Sequence, residues 1–368
     1  MAGWLGRLLG LLFCLGVTGC ASVAFVGQAA TGQAEVMNKA RAIDEVLADP
    51  ATTPETANKL RLAQRLREFA IRELKLPDNA SYTRYADLGR PYALWNIVST
   101  PPLSLKPQES CFPIAGCLSY RDYYSEAEAQ QYAESRKALG EDVFLYGVPA
   151  YSTLGWFSDP LLNTTLRYDK AVLARLIFHE LAHQQLYIKD DSGFNEAFAT
   201  AVELEGYERW LAQEGDAAAR EAYPRAEQRR QAFRRLMEQG RALLEAVYAS
   251  EQADDAKRAA KVEIQAELAL GYQALKAEWG GYLGYDAWFQ PHPNNAHMAS
   301  LATYHEKVPA FRALFRQLGG DFSAFYLAVR QLAEKNRAAR DEALAALRSA
   351  AVIGETQHGA TTPSTAAP

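Results

Sequence analysis

An H-E-x-x-H pattern, from His179 to His183, lies inside a strongly apolar stretch of this chain. Two histidines four residues apart lie on one face of a helix, about one turn from each other. Both imidazoles can therefore reach the same metal ion at about 2.0–2.1 Å. Glu180, between them, is well placed to hold a water molecule on that ion and to accept its proton. The pattern predicts a buried helix over residues 169–188 that carries a metal site.

A catalytic zinc site needs a third protein ligand, and the segment after this helix offers two carboxylates. After a turn expected at residues 191–193, Glu196 stands in F-N-E-A-F-A, at the start of a second predicted helix. If that helix runs back along the first, Glu196 reaches the same ion. Glu203, seven residues further on the same helical face, is its rival, either as a ligand or as a partner of one histidine. A His, His, Glu set is the thermolysin-like arrangement around Zn²⁺.

The first twenty residues have the features of an export signal. Arg7 precedes an apolar run over residues 8–17, which is too short to span a bilayer but suits a signal-peptide core. The V-T-G-C that ends at Cys20 resembles the bacterial lipobox, whose cysteine is lipidated after cleavage just before it. We therefore expect residues 1–19 to be a lipoprotein signal peptide and Cys20 to carry the membrane anchor. An ordinary secretory signal or an uncleaved anchor helix are the alternatives.

Ala21, directly after this cysteine, replaces the Asp that usually keeps bacterial lipoproteins at the inner membrane. The expected location is therefore the outer membrane of a bacterial cell envelope, facing the periplasm. In that oxidising compartment Cys111 and Cys117, six residues apart with Pro and Gly between them, favour a disulfide. Two free thiols are the alternative. A cysteine zinc site is disfavoured because two thiolates without a nearby His fall short of four ligands.

The composition is that of an ordinary globular protein, with 49% apolar and 23% charged residues. The formal net charge is −5, and the two signs are mixed along the chain rather than segregated. Nucleic acid is therefore not expected as a partner, since no basic face is available to neutralise phosphates. The sequence does not indicate an oligomeric state.

Hydrophobic spacing predicts an α+β fold that is predominantly helical, in which a small β-sheet packs over the zincin-like H-E-x-x-H helix. One domain over residues 20–353 would hold all of it. A helical hairpin, rich in Ala, Glu, Arg and Leu, is expected as a long arm from about residue 205 to 277. Residues 354–368, rich in Thr, Ala and Pro, are expected to be a disordered tail.

Several further segments accompany the two motifs and carry a family resemblance. They are F-H-E-L-A-H-Q, F-N-E-A-F-A, Y-S-T-L-G-W-F-S-D-P-L, C-F-P-I-A-G-C-L-S-Y-R and N-N-A-H-M-A-S-L. Together they resemble the bacterial predicted aminopeptidases, a family of zinc-dependent lipoproteins, from about residue 30 to 350. The resemblance implies that His179, His183 and Glu196 bind zinc and that Glu180 is the general base.

The choice between trimming amino termini and cutting internally stays open. Well-studied aminopeptidases with this zinc site carry a G-x-M-E-N segment upstream, whose Glu binds the free amine of the substrate. The upstream strand here has Y-G-V-P-A over residues 146–150 instead. The residue that stabilises the oxyanion is open as well, with Tyr304 and His305 as candidates and His297 and His292 nearby.

The predicted function is hydrolysis of peptides by a zinc-dependent peptidase, most simply an aminopeptidase. Two other hypotheses remain. The chain could be a non-catalytic envelope lipoprotein that serves as a scaffold or binding module, with the helical arm as its contact surface. It could also be a dedicated maturation or cell-wall peptidase with a single substrate. The presence of Glu180 beside both histidines argues against a non-catalytic role.

Overall fold

The computed structural model describes residues 27–112, 116–290, 292–305 and 307–359, and for residues 112, 302–305 and 350–359 it describes the backbone alone. The helices are α1 (27–39), α2 (Ile43–Ala48), α3 (Pro54–Arg72), α4 (Glu126–Lys137), α5 (Asn163–Leu166), α6 (Lys170–Gln185), α7 (Ser192–Glu214), α8 (Ala217–Ala249), α9 (Asp254–Glu278), α10 (Asn295–His305), α11 (Val308–Gln317), α12 (Phe322–Ala333) and α13 (Arg337–Gly359). The strands are β1 (Arg41–Ala42), β2 (Arg84–Ala86), β3 (Leu94–Thr100), β4 (Ser110–Phe112), β5 (Gly116–Leu118), β6 (Arg121–Tyr123), β7 (Asp142–Val148) and β8 (Leu161–Leu162). Helices predominate over small sheets, which confirms the predicted class.

The central sheet is antiparallel, with the strand order β6-β3-β7. Its side chains alternate between two faces because successive residues of a strand point in opposite directions. One face carries Trp95 and Ile97, which pack against Ala129 and Ala133 of α4. The other face carries Val98, which packs against Ala296 and Ala299 of α10. Strands β1, β2 and β8 form a second three-stranded sheet, and β4 and β5 form a hairpin.

Helices α6 and α7 lie at the centre of the largest apolar cluster. Phe178 of α6 and Phe194 and Phe198 of α7 are fully buried. Phe311 of α11 contacts both α7 rings edge-on, with ring centroids 5.0 and 6.1 Å apart. Burying large aromatic side chains on several sides fixes the position of both helices. The H-E-x-x-H helix is therefore held in place by packing on its apolar sides.

The helical hairpin is shorter at its start than the sequence suggested. It consists of α8 and α9 and begins at Ala217, whereas residues 205–214 belong to α7. The break occurs at Gly215 and Asp216, where the Asp216 carboxylate accepts a hydrogen bond from the Ala219 amide at 2.8 Å and caps α8. The two helices of the arm approach closely at Gly240, where an added Cβ would lie 2.5 Å from the Leu268 side chain.

The ends of the chain were predicted to hold a signal peptide and a disordered tail. Helix α13 ends at Gly359, so the first six residues of the tail predicted from residue 354 are helical. The signal peptide over residues 1–19 and the lipidation site Cys20 lie outside the described residues. Within the described ranges, no helix combines the length and the apolar run needed to cross a bilayer.

The predicted pair of cysteines is joined by a disulfide. Cys111 and Cys117 face each other across the β4-β5 hairpin. The hairpin docks on the turn between α6 and α7, because the Cys117 amide donates a hydrogen bond to the Asp190 carboxylate at 2.6 Å. Gly116 has φ +78° and sits so close to Asp190 that any Cβ would overlap it. The disulfide therefore closes a loop that contacts the turn between α6 and α7.

We expect the Cys111→Ser/Cys117→Ser double variant to lower the free energy of unfolding by about 2 kcal/mol, because opening a loop of this size returns entropy to the unfolded chain. Urea unfolding of the full-length protein in detergent measures the change. Adding a thiol reductant to the unchanged protein should give the same loss. Unfolding midpoints that coincide for all three samples would contradict the prediction.

Candidate metal centre

The turn between α6 and α7 is built from side chains that bond to the backbone. Asp169 caps the start of α6 by accepting a hydrogen bond from the Val172 amide at 2.9 Å. Asp191 caps α7 in the same way, through the Phe194 amide at 3.2 Å. The Asn195 side chain then bonds both the amide and the carbonyl of Ile188, at 2.8 and 2.7 Å. These two hydrogen bonds to the backbone close the turn, so that α7 runs back along α6.

Three side chains that the sequence singled out meet between these two helices. His179 Nε2 lies 3.3 Å from Glu196 Oε2, and His183 Nε2 lies 3.7 Å from the same oxygen. Ligand atoms of all three residues lie within 4.8 Å of one another. All three are nearly buried, with 13%, 8% and 9% of their side-chain surface exposed.

These distances fit a divalent metal ion. Tetrahedral ligands at about 2.0–2.1 Å from an ion are separated from each other by roughly 3.3 Å. The two nitrogen–oxygen distances lie close to that value, and two imidazoles with one carboxylate form a typical donor set of catalytic zinc sites. The three residues could therefore hold one divalent ion at the edge of the cavity that they line.

Glu203, the rival ligand, contacts the other side of His179. Its Oε2 lies 3.0 Å from His179 Nδ1, so His179 can donate this hydrogen bond while its Nε2 faces Glu196. Arg175, one turn before His179, donates to Glu203 Oε1 at 2.5 Å. A carboxylate behind a ligand histidine fixes the ring orientation and the tautomer. Glu203 therefore holds His179 in place instead of completing the ligand set.

The charges around the site favour a cation at its centre. Burial raises the pKa of Glu196, but the charge of His183 and the hydrogen bond from His179 outweigh it and bring the pKa down to about 2. Burial raises the pKa of Glu203 as well, but the charge of Arg175 and the hydrogen bond from His179 outweigh it and bring the pKa down to about 2. Burial lowers the pKa of His179, but hydrogen bonds to the two carboxylates raise it well above its ordinary value. Positive charge is thus stabilised where the ligand atoms meet.

Glu180 lies on the same helix and faces a cavity of about 730 Å³ that also exposes His179, His183 and Glu196. Burial raises its pKa, and the two histidines oppose that effect. The charge of Asp159 adds to the rise of this pKa, and Asp159 itself is fixed by Thr153, whose hydroxyl and amide donate to its carboxylate at 2.6 and 2.9 Å. The carboxylate expected to act as a base therefore stands beside the ligands and inside the cavity.

The central sheet forms the opposite wall of this cavity. Its lining residues are Leu94 and Asn96 of β3, Asp122 of β6, Val148 of β7, and Tyr120, Tyr124, Tyr151 and Tyr187 around them. None of these was singled out from the sequence as a site residue. The alternation of Tyr120, Asp122 and Tyr124 along one strand face was the available signal, since alternate residues point to the same side.

The structure also locates the histidines considered for the oxyanion. His297 is 3% exposed and stacks on Phe144 with ring centroids 3.9 Å apart. Its Nδ1 lies 2.9 Å from Asn294 Oδ1, and burial lowers its pKa to about 4. It serves packing and does not line the cavity, while His292 is exposed. Tyr304 and His305 end α10, but their side chains lie outside the described part of the chain.

The comparisons with known proteins give one finding. A family model described as "Putative aminopeptidase" matches residues 24–344. No curated protein and no solved structure matches the chain. The matched segment covers most of the sequence, including both helices of the candidate metal centre and the strands opposite them. The chain therefore belongs to this aminopeptidase family.

Proposed function

We propose that this chain is a zinc-dependent peptidase that hydrolyses peptide bonds with Glu180 as the general base. The observation that carries the proposal is the meeting of His179, His183 and Glu196 at ligand distances, beside a cavity that Glu180 also lines. Membership of an aminopeptidase family supports hydrolysis of peptides at a coarse level. The donor set and the adjacent carboxylate supply the chemistry for it.

A zinc ion held by these three residues would polarise the scissile carbonyl and make a bound water more acidic. Glu180 lies next to both histidines, so its carboxylate can accept the proton of that water and pass it to the leaving amine. The central sheet forms the cavity wall opposite these residues. In this proposal the residues of the chain would bind the ion and move the proton.

Replacing Glu180 by Gln tests this assignment. We expect the Glu180→Gln variant to bind about one zinc per chain, as the unchanged protein does, and to lose hydrolysis by about 10³-fold, because an amide cannot accept the proton. Metal content by mass spectrometry and cleavage of a mixed peptide library measure both. In contrast, the His183→Ala variant should lose both the zinc and the hydrolysis.

Glu214→Gln removes an exposed carboxylate at the end of α7 and is the matched control. It should keep both the zinc and the activity. The proposal would be contradicted by an unchanged protein that contains no zinc, or by a Glu180→Gln variant that cleaves peptides at the original rate.

We expect Glu203→Gln to weaken zinc binding by about 10- to 100-fold, because a neutral amide holds the His179 ring less firmly than a carboxylate does. Competition with a zinc chelator of known affinity gives the ratio. Glu214→Gln again serves as the control. An unchanged affinity would mean that Glu203 does not orient the ligand histidine.

Stabilising the oxyanion calls for a hydroxyl donor in the cavity. Tyr124 and Tyr151 both donate to Gln33, at 3.1 and 2.6 Å. Tyr120 and Tyr187 line the same cavity as Glu196, and the charge of Glu196 adds to the effect of burial in raising the pKa of both phenols. Both hydroxyls therefore keep their protons. We infer that Tyr120 donates to the carbonyl oxygen of the substrate.

We expect Tyr120→Phe to lower kcat by about 100-fold and to leave zinc content unchanged, since only a donor to the oxyanion is lost. Steady-state kinetics on a peptide found by the library screen measures it. Tyr132→Phe, in helix α4 on the opposite side of the central sheet, is the control. If Tyr187→Phe shows the loss and Tyr120→Phe does not, the donor is Tyr187 and our inference is wrong.

The membrane anchor on Cys20 and the periplasmic location extend the proposal. A lipid there would tether the domain at a membrane surface, with α1 as the first described element after the anchor. Gln28 and Ala29 of α1 are among the residues that line the cavity. Peptides of the cell envelope are the substrate class that such a tether would favour.

A further inference from the structure

Two buried acceptor atoms in the cavity wall have no hydrogen-bond partner among the described residues. They are Asn96 Oδ1 and Asp122 Oδ1. Asn96 is 4% exposed, so water cannot readily satisfy its amide. Leaving a buried polar atom unpaired costs about 1–3 kcal/mol, and more for a charged group. Two such atoms in one place point to a ligand that supplies the missing donors.

The two residues are direct neighbours across the central sheet. Asn96 of β3 and Asp122 of β6 are register partners in the antiparallel ladder. Both line the cavity that contains the candidate metal centre. Their chain neighbours Trp95 and Tyr123 point to the opposite face, toward α4. The paired acceptors and the metal ligands therefore line the same cavity.

No cation of the protein contacts the Asp122 carboxylate in the described structure. Arg121 next to it lies on the opposite face, over the rings of Tyr123 and Tyr132 at 5.6 and 5.0 Å. Burial raises the pKa of Asp122 to about 7; the charge of Arg121 opposes this, and the charge of Glu196 adds to it. Asp122 lines the same cavity as Glu196 and the two histidines. A cation in the cavity would be stabilised by both carboxylates.

We propose that Asp122 and Asn96 bind the free α-ammonium group of a peptide substrate. A primary ammonium has three donors, no acceptor and a positive charge, which matches two acceptor oxygens of which one is anionic. The inference rests on the peptidase function proposed above and names its mode. Asp122 and the metal ligands line one cavity, so an amino terminus held at Asp122 would place the amino end of the substrate in the cavity of the metal centre, and the enzyme would remove residues from that end.

This assignment supplies what the sequence lacked. The G-x-M-E-N segment, whose Glu binds the substrate amine in other aminopeptidases, is missing, and the Y-G-V-P-A segment at its place has no carboxylate. Asp122 lies on β6, at the edge of the central sheet, and not on the strand where the motif was sought. A carboxylate on a different strand can reach the same cavity because β6 and β7 flank β3 on its two sides.

The test compares free and N-acetylated forms of the same peptides on the full-length protein in detergent. We expect the unchanged protein to prefer the free amine by at least about 100-fold in kcat/KM, as expected for a buried charged hydrogen bond. Asp122→Asn should reduce this preference at least about 10-fold, mainly through KM, and leave cleavage of acetylated peptides unchanged. Asn96→Val should act in the same direction, and the surface variant Asp87→Asn should not.

Binding gives a readout that does not depend on turnover. Zinc-loaded Glu180→Gln protein is mixed with the paired libraries, and the retained peptides are identified by mass spectrometry. We expect retention of free-amine peptides, and its loss in the Glu180→Gln/Asp122→Asn double variant. This result would stand even if no peptide were hydrolysed, so failure of the proposed function and failure of this inference can be told apart.

Three outcomes overturn the inference. One is equal handling of free and acetylated peptides in both cleavage and binding. Another is a preference that Asp122→Asn leaves intact. The third is a preference that follows an internal lysine instead of the amino terminus, which would assign the pair to a side-chain ammonium. Peptides with and without lysine in each library separate the last case from the expected one.

Discussion

The antiparallel pairing of α6 and α7 decides whether the metal ligands meet. Glu196 reaches the two histidines only because the turn between the helices is closed by Asn195, whose amide bonds both backbone groups of Ile188. Asp191 anchors the same turn to the C-terminal helices through Arg340, at 2.8 Å. Each residue of a helix is turned by about 100° from the next, so a shift of α7 by one position would carry Glu196 away from the site. The chemistry of one short turn therefore positions the whole centre.

This pairing also gathers negative charge in a buried place, which has to be compensated. Glu180, Glu196 and Glu203 all lie within it, and charges out of water repel strongly. Arg175 compensates Glu203, and it can do so because it precedes His179 by four residues and lies on the same face of α6. The negative charge that Arg175 does not compensate favours a cation between Glu196 and the histidines. The spacing of Arg175, His179 and the second histidine along α6 thus sets up both the ligands and the charge balance.

The sequence predicted those parts of the site that depend on local spacing. The H-E-x-x-H helix and the carboxylate helix follow from positions within about thirty residues of one another, and helical geometry is regular enough to use. The start of the arm was misplaced because Gly215 and Asp216 act as a break only through a cap that forms in three dimensions. The pairing of Asn96 with Asp122 could not be found from spacing, since it depends on the register of two strands separated by a disulfide hairpin.

That register is fixed by packing on the far side of the sheet. Trp95 and Tyr123 are register partners, and both are buried against α4. A slip of one residue would move these apolar side chains into the cavity and turn Asn96 and Asp122 toward α4, where two unpaired polar groups would be buried. The apolar face of the sheet therefore selects which residues line the cavity. The same strand register places the apolar residues against α4 and the polar residues in the cavity wall. Substitutions in the α4 interface would therefore change the positions of the cavity-lining residues, although none of the substituted residues lines the cavity.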